Sequence, residues 1–170
     1  MFTHNSSVGK TRVRVSLVLV LGLLVGALSL LGCGDTGSDI GEFSGTWTST
    51  AGDRIVIDKS AKTFVYSFGA TPSYDAESMD YAGAIVGGAN ALTNVTGYLT
   101  LRITNAGGYG PTVGNYIRIF WKELTLTTVQ EAGPYKAGGQ NNGVSTGAAA
   151  ETEYTVGNGY FDLTGAYTKQ

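Results

Sequence analysis

The 170-residue chain contains one thiol, Cys33, and one imidazole, His4. These are the side chains best suited to nucleophilic, acid–base or soft-metal chemistry near neutral pH, so their positions limit what the molecule can do. Both lie in the N-terminal segment. Lys10, Arg12 and Arg14 precede a run of apolar or small residues from 15 to 31, VSLVLVLGLLVGALSLL, and no acidic residue occurs before Asp35. A basic region followed by an apolar one is the pattern of an export signal. The run is also long enough to span a membrane, which takes about 17–25 apolar residues. Its ending separates the two readings.

That ending, Leu30-Leu31-Gly32-Cys33, resembles the lipobox of bacterial lipoproteins, with Leu at −3, a small residue at −1 and Cys as the first mature residue. The resemblance implies a signal peptide over residues 1–32, cleavage after Gly32, and a diacylglyceryl thioether with palmitate-type acyl chains on Cys33. It also implies export and anchorage in the cell membrane or outer membrane. Each buried CH₂ contributes about 0.8 kcal/mol, and two or three chains hold where one is marginal. The alternative is an uncleaved anchor with an incidental cysteine.

Processing of that kind leaves 138 residues, enough for one domain with a substantial core. It removes His4, and acylation consumes the thiol. Ser-His-Asp and Cys-His catalysis, thiol redox chemistry, His/Cys zinc sites and internal disulfides are then excluded. Carboxylate chemistry, hard-metal binding or no chemistry remain, so the expectation is a non-enzyme without cofactor. Asp75, Glu77 and Asp80 form an acidic loop that lacks the EF-hand spacing, and a solvated loop is the plainer reading. Loss of three leader cations leaves eight Lys and Arg against thirteen Asp and Glu, a net of about −5. That balance argues against nucleic acid as a partner and against adhesion to an anionic lipid surface.

Residues 33–43 read as the lipidated cysteine and a tether, reaching roughly 15–20 Å for ten flexible residues. From 44 to 170 the hydrophobic period is two. Alternation marks strands at 54–58, 64–68, 98–104, 116–122 and 160–164, rich in β-branched and aromatic residues. Turn residues separate them at 51–53, 59–62, 105–108, 142–143 and 158–159. Residues 132–143 read as an irregular loop, and Thr146 is placed to cap one short helix over 146–154. Closely joined strands predict an all-β antiparallel barrel or sandwich.

Gly45-Thr46-Trp47, opening the first strand, is similar to the Gly-x-Trp of lipocalins and the wider calycin group. That resemblance implies an up-and-down barrel whose Trp closes one end and whose interior holds a small apolar molecule. Trp47, Phe64, Tyr66 and Phe68 are then the candidate ligand-binding residues. An eight-stranded barrel is also just wide enough for side chains to fill it, so the same aromatics serve equally as core. A second candidate is the non-aliphatic face of the central strands: Tyr98, Arg102, Tyr116, Arg118 and Phe120. Exposed, it would suit an envelope or host protein, because Tyr and Arg are enriched at interfaces; an ordinary solvated face is the plainer account. The glycine-rich loop 107–111 lacks the Lys and following helix of a phosphate cradle, and reads as a loop at a barrel mouth.

Overall fold

The computed structural model describes residues 41–69, 80–139 and 141–170. The expected signal peptide, Cys33, and the acidic loop apart from Asp80 lie outside these residues. Eight strands form a closed barrel in sequence order: β1 Gly45–Ser49, β2 Arg54–Asp58, β3 Thr63–Ser67, β4 Tyr81–Gly87, β5 Gly97–Ala106, β6 Tyr116–Lys122, β7 Thr128–Ala132 and β8 Gly165–Lys169. Every neighbouring pair is antiparallel, and β8 closes on β1 with Trp47 opposite Lys169 and Ser49 opposite Tyr167. One helix, α1 Gly147–Glu153, lies between β7 and β8 and packs outside β5 and β6. Thr146 caps it, its hydroxyl accepting from the Ala149 N–H at 3.1 Å. Among the described residues no helix is long and apolar enough to cross a membrane.

Alternation determines what faces inward. Ile55 opposes Tyr66, Ile57 opposes Phe64, and Leu101 opposes Ile117, so inward positions meet inward positions across the ladders. Ile55, Ile57, Phe64, Leu99, Leu101, Ile103, Ile117, Ile119 and Val129 make the barrel core. β4 (YAGAIVG) turns Tyr81, Gly83 and Ile85 toward the interior, and Gly83 is small for a steric reason. A Cβ on Gly83 would stand 3.0 Å from the Arg102 carbonyl oxygen and 3.2 Å from the Leu101 Cβ. The strand therefore approaches β5 closely, with register shifts between Ala82 and Gly83 and between Ile85 and Gly87.

One barrel end, carrying the β2–β3, β4–β5 and β6–β7 connections, is plugged. Phe43, Trp47, Leu92, Trp121 and Leu124 are buried there, with Phe43 5.0 Å from Trp121 and 5.7 Å from Trp47 between ring centroids. The indole N–H groups donate to the Phe43 and Asn94 carbonyls, each at 3.0 Å, so neither large ring is buried with its polar edge unpaired. Lys169 sets its ammonium 5.1 Å from the Trp47 ring centroid and donates to the Glu42 carbonyl.

Two boundaries differ from the sequence expectation. Phe43, assigned to the tether, is fully buried and donates its N–H to the Leu92 carbonyl at 2.8 Å, so it belongs to the plug. Residues 160–164 are not a strand. Phe161 has a positive φ of 70° and packs on the outside of the barrel, and the last strand begins at Gly165.

Candidate functional site

β3 carries two of the four expected ligand-binding residues, Phe64 and Tyr66, up one side of the interior, and a third, Phe68, follows the strand. Phe64 is fully buried, Tyr66 half-buried, and Phe68 half-buried just past the strand. Tyr81 of β4 stacks on both Phe64 and Tyr66, at 5.9 and 5.1 Å between centroids. Trp47 stands apart from them in the plug. The structure thus separates a closing residue from an aromatic wall that leads toward the opposite end.

That opposite end, with the β1–β2, β3–β4, β5–β6 and β7–β8 connections, is built differently. Tyr66, Tyr81 and Tyr167 bring three phenols into the same region as Glu131 of β7 and Asp53 of the β1–β2 turn. Glu131 shares the inward face of β7 with Val129 and is 4% exposed. Its Oε1 has no hydrogen-bond partner among the described residues. Burial, with the Asp53 charge adding to it, pushes this carboxyl up to about 8, so it is mostly protonated at neutral pH. Burial and the neighbouring carboxylates likewise raise Tyr66, Tyr81 and Tyr167 above the ordinary phenol range. Asp53 is committed to structure: it accepts from the Ser49 hydroxyl and, at 2.7 Å, from the Gly69 N–H. Asp80 similarly accepts from the Phe68 N–H at 2.7 Å, fixing the chain at the end of β3.

Sequence reasoning missed Glu131 because β7 (TVQEA) is short and polar. The signal available was its parity with Val129, which puts a carboxyl on an inward position.

The Tyr/Arg face does not look at solvent as a whole. Phe120 is nearly buried and, with Tyr98, packs against Phe161 at 5.5 and 5.7 Å between centroids. Arg118 lies 4.2 Å over the Tyr98 ring and donates through Nη1 to the Glu151 and Tyr154 carbonyls at the end of α1. Arg118 and these rings hold the 146–161 segment onto the sheet. Tyr116 is half-buried near Gly147, and only Arg102 of the five is exposed. The expectation of an exposed stripe fails for Tyr98, Arg118 and Phe120, because the chain's own helix and Phe161 cover them.

The loop 107–111 lies at the Glu131 end, with the Gly107 N–H donating to the Asp80 carbonyl. Among the described residues no group of three or more His, Cys, Asp or Glu is arranged to hold a metal. Comparison with protein-family models, with curated proteins and with solved structures finds no match for this chain.

Proposed function

We propose that this chain is an exported, lipid-anchored binding protein that holds a small, largely apolar molecule inside its barrel without transforming it. The observation that carries the reading is the contrast between the two barrel ends. One is sealed by five buried apolar side chains whose two indole N–H groups are both satisfied. The other buries a carboxyl oxygen with no described partner beside half-buried tyrosine rings. Packing for stability alone favours satisfied or apolar interiors, and departures from that rule concentrate where a molecule is bound. Anchorage through Cys33 rests on the resemblance of residues 30–33 to a lipobox, and would keep the barrel at the envelope.

The test is titration of the purified protein with Nile red, a neutral apolar dye. Saturable one-to-one fluorescence enhancement, reversed by a competing long-chain alcohol, is expected. Absence of saturable uptake at any dye concentration below its solubility limit contradicts the proposal.

A further inference from the structure

We propose that the molecule held in the barrel carries an ammonium group, and that Glu131 is its counter-ion within a ring formed by Tyr66, Tyr81 and Tyr167. This rests on the reading that the interior binds a small molecule, and it names the chemistry of that molecule's polar end.

Glu131 is inward-facing and incompletely partnered. Its Oε1 is buried and unpartnered among the described residues, an acceptor position left for something other than this chain. No lysine or arginine is among the groups acting on Glu131, and of the described cations Arg54, Lys62 and Arg102 are exposed. Arg118 is on the outer face with α1, Lys136 donates to the Asn158 carbonyl, Lys59 pairs with Glu42, and Lys169 lies over Trp47 in the plug. What does face Glu131 is Asp53 from the β1–β2 turn and the phenols of β3, β4 and β8, acidic or electron-rich groups in each case. An anionic head group would meet two carboxyls. A cation would instead meet one unpaired carboxyl oxygen and aromatic faces whose quadrupoles attract it. Phe64, fully buried and stacked on Tyr81, makes the apolar floor of this cluster.

The protonation state gives this recognition a signature. Burial and Asp53 hold Glu131 largely neutral at pH 7. Binding an ammonium favours the carboxylate, so the Glu131 proton leaves to solvent as the ion pair forms, and the ammonium keeps its own. Affinity for a cation then rises about tenfold per pH unit below pH 8, and is flat above it.

The experiment is isothermal titration calorimetry on the full-length chain in phosphatidylcholine nanodiscs, with empty nanodiscs subtracted. The probes are 2-phenylethylamine, 2-phenylethanol and phenylacetate, each measured at pH 6 and pH 7 in two buffers of different ionisation enthalpy. The expected result is preference for the amine, release of close to one proton at pH 7, and about tenfold tighter binding at pH 7 than at pH 6. Glu131→Gln should remove the proton release and weaken the amine at least tenfold while leaving the alcohol unchanged. Equal binding of amine and alcohol by the wild type, or amine binding without proton release, overturns the inference and leaves the carrier reading standing. No binding of any probe overturns both.

Discussion

Glu131→Gln offers a direct test of how the barrel interior is built, because a buried carboxyl makes stability depend on pH with a defined sign. In the folded chain the group ionises near 8, and its ordinary value is 4.5. Between those values the folded state holds a proton that the unfolded chain has released. The contribution is therefore fully present below about pH 4.5 and is lost as pH rises through 8. A displacement of that size corresponds to about 5 kcal/mol overall, of which about 3–4 kcal/mol disappears between pH 5 and pH 8. Domains of this kind are stable by about 5–15 kcal/mol, so the loss is a large fraction of the total. The Lys59 hydrogen bond lowers Glu42, and the Ala61 N–H with the Ser60 hydroxyl lowers Asp58. Their contributions are lost only as pH falls below the ordinary carboxylate range, outside this window. Urea unfolding followed by tryptophan fluorescence at half-unit steps from pH 5 to pH 8 should show stability falling steadily in the wild type and nearly level in Glu131→Gln. The variant should then be the more stable protein at pH 8. A level wild-type profile, or an equal slope in both proteins, refutes the placement of Glu131 as a buried, unpaired carboxyl.

Three further outcomes follow from other parts of the molecule. Gly97→Ala would set a Cβ 2.3 Å from the Trp121 ring, and overpacking of that kind should cost about 1–3 kcal/mol in urea unfolding. Thr146→Ala removes the cap on α1 and should cost about 1 kcal/mol by the same measurement. Cys33→Ser should abolish incorporation of radiolabelled palmitate and leave the leader uncleaved on gels; continued labelling would show that acylation occurs elsewhere or that the lipobox reading is wrong.

Strands with strong alternation were legible in the sequence, and those whose inner face is sterically or chemically unusual were not. Arg54–Asp58 and Tyr116–Lys122 form strands at the expected residues because Ile55, Ile57, Ile117, Ile119 and Trp121 mark their inward faces without ambiguity. β4 hides because Gly83 must be small against β5, and β7 because an inward carboxyl breaks the apolar pattern. The 160–164 segment misleads for the opposite reason. Tyr160 and Phe161 are apolar because they pack on the outside of the barrel and around α1, a cluster no strand period encodes. The candidate site was legible in part: Phe64 and Tyr66 were found as inward aromatics, whereas Tyr81, Glu131 and Tyr167 join them only through barrel closure. Closure brings β3, β4, β7 and β8 together over separations far longer than any local motif.

The most direct test of the binding reading is native mass spectrometry of residues 34–170, exported to the periplasm and purified without detergent. A bound mass of a few hundred daltons is expected, lost on organic extraction, with a basic nitrogen in the released molecule. A clean apo mass that stays unchanged after incubation with amphiphilic amines, fatty acids and phospholipids would contradict it, and would mean that the barrel interior is packed by its own side chains.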